Sequence, residues 1–193
     1  RIVPVGDVMY DVALHHGART AGTAGAGSAL DALGLDARPY ALATVHRAEN
    51  TSDPARLAVI LQAFEQLAQR LRVVWPMHPR TRAVLQQQGC EPKGVDLIDP
   101  VGYLDMVRLE RGAALIATDS GGVQKEAFFH SVPCVTLRDE TEWVELVDAG
   151  WNRLAPPTDA AAVSAALLAA LGSQGQPVQP YGSGDAATRI VQR

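Results

Sequence analysis

The chain has 193 residues, 47% of them apolar and 20% charged, enough for one large domain, or one and a fraction, around a full core. A formal charge of −4 excludes a general attraction to nucleic acid or to an anionic membrane, so any anion must be held locally by helix ends and individual Arg, Lys and His side chains. Cys90 and Cys134 lie far apart and form neither a disulfide framework nor a zinc ligand set, which favours a reducing cytoplasm, and no apolar run approaches the length of a membrane span.

The opening RIVPVGD lacks the charged and apolar regions of a signal peptide, and the absence of an initiating Met suggests a fragment. Ile2 to Val5 predict a short strand, and Val8, Val12 and Ala13 a helix after Gly6-Asp7. Residues 17–28, small and Gly/Ala-rich, predict a surface loop or linker. A short helix is expected at Ala29–Leu33. A strand at Tyr40–Val45 then delivers His46-Arg47-Ala48-Glu49-Asn50 at its carboxyl end. Asp53-Pro54 reads as an N-cap with proline at the first helical position. Leu57, Ile60, Leu61, Phe64, Leu67 and Leu71 line one side of the helix that follows.

A strand at Arg72–Trp75 ends in Pro76-Met77-His78-Pro79, and a helix over about Thr81–Gln88 stops at Gly89. Residues 95–98 predict a strand and Leu104 to Glu110 a helix. The stretch Ala113–Phe128, AALIATDSGGVQKEAF, begins as a buried strand, turns at Ser120-Gly121-Gly122 and continues at helical spacing through Val123, Ala127 and Phe128. Strand Val135–Leu137 leads to Arg138-Asp139-Glu140-Thr141-Glu142, followed by a helix over roughly Trp143–Ala149, a strand at Asn152–Leu154, a helix capped by Asp159, a loop over 172–184 and a last helix near Ala186–Gln192. Strands alternating with helices on mostly short connections predict an α/β fold with a doubly wound, mostly parallel sheet.

In such a sheet the strand ends that carry His46, His78, Ser120-Gly121-Gly122 and Arg138 share one edge, where ligands bind. The Ser-Gly-Gly turn before a helix offers unpaired amides, the positive end of a helix dipole and no side chain in the way of a phosphate. The competing reading is an ordinary Asp/Ser N-cap with glycines that serve only the turn. The stretch alone leaves both open. His46 suits a general acid, a base or a phosphate donor, against a histidine merely hydrogen-bonded in a loop. Glu126, six residues past Ser120, falls in the second helical turn, within reach of a sugar at the helix start. Its two acceptor oxygens match paired ribose hydroxyls, although spacing alone favours a surface glutamate paired with a neighbouring lysine. His15, His16 and His130 read as structural or exposed, and Trp143 and Trp151 as packing residues, with Trp143 beside Glu142 able to line a pocket. A Walker A lysine, a G-x-G-x-x-G after a strand and an H-E-x-x-H are all absent from the sequence.

Taken together, Val5-Gly6-Asp7, Thr44-Val45-His46-Arg47-Ala48-Glu49-Asn50, Asp99-Pro100, the run from Thr118 to Ala127, Arg138 to Trp143 and Tyr181-Gly182-Ser183-Gly184-Asp185-Ala186 resemble the non-hydrolysing UDP-N-acetylglucosamine 2-epimerases, in order and over nearly the whole chain. The resemblance implies one Rossmann-like half of a two-domain GT-B-type fold, with residues 1–193 as the carboxyl-terminal, nucleotide-binding half and the amino-terminal catalytic partner domain absent from this chain. It implies that Ser120, Gly121 and Gly122 hold the phosphates of UDP, that Glu126 holds the ribose, and that His46 is catalytic at the phosphate/sugar junction. Met106 stands where several members place an aromatic residue against uracil, Val101 stands where they have glutamine, and Arg138 joins the UDP-binding set. Arg47, Glu49, His78 and Trp143 are further candidates. Inversion at C2 by anti elimination of UDP and re-addition is implied, with no cofactor and no metal, a UDP-sugar as the partner molecule, and a homodimer for the full-length protein. Thr141-Glu142-Trp143-Val144-Glu145 departs from a T-E-R-P-E pattern, a variant also seen in relatives that act on diacetamido uronic acid sugars. The donor-binding domain of a GT-B glycosyltransferase and a non-catalytic nucleotide-sugar module are the alternatives.

Overall fold

Continuous apolar runs such as Tyr40–Thr44 and Leu115–Thr118 lie in the middle of a parallel sheet because helices cover both of its faces. The structure, a computed structural model, describes residues 2–20, 33–35 and 38–192. In chain order the elements are α1 (Val8–Thr20), β1 (Tyr40–Thr44), α2 (Ala48–Thr51), α3 (Pro54–Ala68), β2 (Arg72–Pro76), α4 (Pro79–Gln88), β3 (Val95–Ile98), α5 (Tyr103–Gly112), β4 (Leu115–Thr118), α6 (Gly121–Phe129), β5 (Cys134–Thr136), α7 (Val144–Asp148), β6 (Asn152–Leu154), α8 (Ala160–Ala170) and α9 (Ala186–Val191). All six strands are parallel in the order β3-β2-β1-β4-β5-β6. The chain winds outward from β1 in one direction, then returns to start β4 on the other side of β1, which makes β1/β4 the topological switch point.

The two-residue period of the strands divides the core. Ala41, Ala43, Val73, Trp75, Leu115, Ala117 and Val135 face α3 and α8, whose Leu57, Ile60, Phe64, Leu67, Val163 and Leu167 complete one layer. Tyr40, Leu42, Val74, Ile116 and Cys134 face the other way, onto Leu109 of α5 and Ala127 of α6. Phe64 meets the fully buried Trp75 edge-on at 5.4 Å. The start of α3 follows from its sequence. The Asp53 carboxylate accepts from Ala55 N and Arg56 N at 2.9 and 3.3 Å, with Pro54 in the first turn. We expect Asp53→Ala to lower stability by about 1 kcal/mol, read from the midpoint of urea unfolding.

Three expectations fail. Ile2–Val5 forms no strand, because Pro4 has no amide to give a ladder and Ile2 is fully exposed. Residues 17–20, expected in the loop or linker 17–28, are the last turn of α1. That helix packs along α5, and the Arg111 guanidinium donates to the Gly17 carbonyl, so tertiary contact overrides the local glycine. Residues 21–28 and most of the expected helix 29–33 lie outside the described residues. The third is α2, which the sequence reading does not foresee: it gives 46–50 only as the polar run after the strand, but Asn50 N and Thr51 N bond back to the Arg47 carbonyl and close a short helix.

Candidate functional site

The crevice beyond β1 and β4 is built on one buried carboxylate. Asp119 has no solvent exposure and accepts from His46 N at 3.1 Å, Arg47 N at 3.0 Å and Asn50 Nδ2 at 3.1 Å. Asn50 Nδ2 also donates to the Leu137 carbonyl beyond β5, and its Oδ1 accepts from Arg56 Nε of α3. Just beneath, the Thr44 and Thr118 hydroxyls share a hydrogen bond of 2.6 Å. Asp119 thus locks the loop that carries His46 against the turn that starts α6. Sequence reasoning singles out both segments but offers Asp119 only as an alternative helix cap and gives Asn50 no role. The available signal is an ionisable residue directly after a strand that reads as buried, which a fold tolerates only when donors surround it.

The start of α6 is open. Ser120 occupies the N-cap position, yet its hydroxyl caps none of the first amides, which have no partner within a helix. Neither Gly121 nor Gly122 has a positive φ. A Cβ on Gly121 would meet nothing nearer than Trp143 Nε1 at 3.7 Å, and on Gly122 nothing nearer than the Met9 methyl at 3.6 Å. The turn does not require these glycines, and the protein does not crowd them. A methyl group would fit at either position in ordinary contact with these neighbours, which argues against the reading in which the glycines serve only the turn.

Side chains from three directions hold this helix start. Gln124 Nε2 donates to the Ser120 carbonyl, while its Oε1 accepts from Thr141 Oγ1 at 2.6 Å and Asn152 Nδ2 at 3.0 Å. Trp143 Nε1 donates to the Gly121 carbonyl at 2.8 Å, so this tryptophan lines the site. Lys125 is paired with Asp7 and lies 4.4 Å over the Trp143 ring. Asp7 N in turn donates to the Tyr181 carbonyl, where Gly6 and Gly182, both at positive φ, approach so closely that a Cβ on either would come within 3.0 Å of the other's segment. The motifs around Asp7, His46, Asp119 to Lys125, Arg138 to Trp143 and Tyr181 therefore form one connected network, whereas Asp99 stands apart, paired with Arg82 of α4.

His46 keeps 42% of its side chain exposed, with Nδ1 3.6 Å from Asp119 Oδ1. Its ring lies 5.8 Å from that of His78, which caps α4 by accepting from Arg80 N at 3.2 Å. Arg138, 5% exposed, is held by Glu142 through two bonds of 2.9 and 3.1 Å, with Glu49 3.3 Å from its Nε. The Arg138 bond holds the Glu142 carboxyl down to about 2. Arg138 therefore orders the loop up to Trp143 rather than extending freely into the crevice. Arg47 lies half-buried beside the helix start, its Nη2 4.0 Å from where a Gly121 Cβ would stand. Met106 packs partly buried in the second core layer. Glu126 is not the expected surface glutamate paired with its neighbouring lysine: Lys125 turns to Asp7, and Glu126 is half-buried. His16 meets Tyr103 edge-on at 5.4 Å, and Trp151 donates to the Gln176 carbonyl. Among the described residues, no helix is long and apolar enough to cross a membrane.

The strand order and the open helix start at the switch point define a Rossmann-like α/β unit. The family model described as UDP-N-acetylglucosamine 2-epimerase matches residues 1–193, and the chain belongs to that family. It is 46% identical over 198 residues to a UDP-2,3-diacetamido-2,3-dideoxy-D-glucuronate 2-epimerase of Pseudomonas aeruginosa, a match covering 100% of this chain and 52% of the relative. It is 48% identical over 158 residues to a UDP-N-acetylglucosamine 2-epimerase homolog of Methanococcus maripaludis, covering 79% of this chain and 43% of the relative. The crystal structure of Methanocaldococcus jannaschii UDP-GlcNAc 2-epimerase in complex with UDP-GlcNAc and UDP superposes with a TM-score of 0.83 at 33% identity, over 97% of this chain and 53% of that one. The chain spans about half the length of the relatives it matches.

Proposed function

We propose that this chain is the UDP-binding half of a non-hydrolysing UDP-2-acetamido-sugar 2-epimerase. The observation that carries the reading is the uncapped start of α6, where Gly121 and Gly122 leave room that neither the turn nor the packing demands. The diphosphate of UDP sits on those amides with the Ser120 hydroxyl beside it, Glu126 accepts the ribose hydroxyls, and Met106 lies toward the uracil. In the reaction the C1–O bond to UDP breaks as a proton leaves C2. The departing diphosphate gains negative charge, which the preorganised amides and the helix dipole stabilise. His46, its backbone held by Asp119, hydrogen-bonds the oxygen at the junction of phosphate and sugar and protects it as UDP leaves and returns. Proton exchange at C2 falls to carboxylates of an amino-terminal domain that this chain does not contain. The 46% identity to an epimerase of a diacetamido uronic acid sugar supports a modified acetamido sugar as substrate.

Calorimetry with UDP and with uridine tests the reading. UDP is expected to bind at least about tenfold more tightly, since charge-assisted bonds to the diphosphate separate the two. Equal affinities would remove the helix start as a phosphate site. In a coupled epimerase assay the chain alone is expected to show no turnover, and turnover would show that the acid/base groups at C2 lie within it.

A further inference from the structure

Ser120 and Gly121 present consecutive carbonyls to side-chain donors. Gln124 Nε2 donates to the Ser120 carbonyl at 3.2 Å, and Trp143 Nε1 donates to the Gly121 carbonyl at 2.8 Å. One hydroxyl joins the two donors: Thr141 Oγ1 donates to Gln124 Oε1 at 2.6 Å and accepts from Trp143 N at 3.1 Å. Gln124 has no solvent exposure, and Asn152 Nδ2 of β6 gives its Oε1 a second bond at 3.0 Å. A ring of hydrogen bonds thus closes around two successive peptide units at the start of α6.

This is the reverse of an ordinary cap. At the starts of α3 and α8, Asp53 and Asp159 accept from the first amides and occupy them. At the start of α6 the side chains hold the other end of each peptide unit. A peptide unit is planar, and in the trans form its C=O and N–H point in opposite directions. No peptide bond among the described residues is cis. A donor that fixes the Ser120 carbonyl therefore fixes the Gly121 N–H, and one that fixes the Gly121 carbonyl fixes the Gly122 N–H. Glycine loses more freedom on ordering than any other residue, and helix ends fray, so two glycines in a first turn with no side-chain cap leave these planes loose unless something holds them.

The Trp143 ring is itself held. The Lys125 ammonium lies 4.4 Å from its centroid and pairs with Asp7, and the Tyr181 ring meets it edge-on at 6.2 Å. Tyr181 is anchored in turn through its hydroxyl, which donates to Glu145 Oε1 at 2.7 Å. The indole bond is not needed to satisfy Gly121. A carbonyl at that place in a helix also accepts from the amide four residues on. What the indole adds is orientation.

We infer that Trp143 is a positioning residue for diphosphate binding: by holding the Gly121 carbonyl it aims the Gly122 N–H out of the helix start and keeps that amide ordered before the ligand arrives. The inference rests on the assignment of the UDP diphosphate to the start of α6 made above. A donor ordered beforehand loses little further entropy on binding, so preorganisation appears directly as affinity. Uridine has no phosphate and gains nothing from it.

The test compares the wild-type chain with Trp143→Phe, which keeps an aromatic ring beside Lys125 and removes the N–H. In the unliganded proteins the backbone 15N order parameter of Gly122 is expected near about 0.85 in the wild type and below about 0.6 in the variant. In calorimetric titrations the variant is expected to bind UDP about three- to tenfold more weakly, the worth of one hydrogen bond, and to bind uridine within about twofold of wild type. A tryptophan that only packs would leave the Gly122 order parameter unchanged and move both affinities together or neither. Equal wild-type affinities for UDP and uridine overturn the diphosphate assignment, and the inference with it. A wild-type preference for UDP that Trp143→Phe retains in full, or a Gly122 amide equally ordered in the two proteins, overturns the role of Trp143 alone. Where the variant does not fold, the wild type still decides: an order parameter of Gly122 below about 0.6 in the unliganded chain overturns the inference.

Discussion

Asp119→Ala is expected to lower the unfolding free energy by about 3–5 kcal/mol, the cost of stripping an acceptor from buried donors. The Asp119 carboxylate serves the amides of His46 and Arg47 and the side chain of Asn50. Asn50 keeps its bond to the Leu137 carbonyl, but the His46 and Arg47 amides lose the acceptor they use. For a chain of 193 residues the loss corresponds to a melting temperature lower by about 10 °C. Asp119→Asn keeps the shape and one acceptor oxygen for Arg47 N and Asn50 Nδ2, but turns an NH2 toward His46 N where Oδ1 accepts, and is expected to cost about 1–3 kcal/mol, less than the alanine. Ser120→Ala, next in sequence, removes a hydroxyl that caps nothing and should stay within about 0.5 kcal/mol of wild type. Urea unfolding of the three variants reads all of this, and an Asp119→Ala chain within about 1 kcal/mol of wild type would show that the loop after β1 has other support. The consequence reaches function: His46 and Arg47 are the residues whose backbone would be released.

The elements that sequence reasoning places well are those in which local signals and packing agree. Strand Val95–Ile98 and strand Asn152–Leu154 fall where expected, and α3 begins at the Asp53-Pro54 signal with its apolar stripe buried against the sheet. Parallel order and the shared edge follow from the alternation of elements, and that alternation alone is enough to bring His46, His78, Ser120 and Arg138 to one side. The failures come from partners distant in sequence. Gly17 is a helix breaker until Arg111 reaches its carbonyl. Sequence spacing also does not reveal that Glu49 and Glu142 close around Arg138. From spacing alone Glu126 reads as a surface residue paired with a lysine, because spacing does not show that Lys125 turns to Asp7, 118 positions away. Asp119 stays hidden for the same reason: its donors lie 69 to 73 positions away.

Gly121→Asp is the substitution that separates binding from folding. The position has no positive φ, and a Cβ there has ordinary clearance from Trp143, Glu142 and Arg47. An aspartate in the first turn of α6 also lies at the positive end of the helix dipole, which adds about 0.3–1 kcal/mol of stability, offset in part by the carboxylate of Glu142. Stability is therefore expected to hold or to rise slightly. The same carboxylate occupies the space over the amides and repels a diphosphate, so UDP affinity is expected to fall at least tenfold, by about 1–2 kcal/mol or more. Gly121→Ala supplies bulk without charge and should fall between the two proteins. The paired measurement is a thermal melt and a UDP titration on the same preparations. A fall in both would point to damage of the fold. Unchanged UDP binding by a well-folded Gly121→Asp chain would remove the phosphate from this helix start, and with it the assignment of Glu126 to the ribose one and a half turns further along.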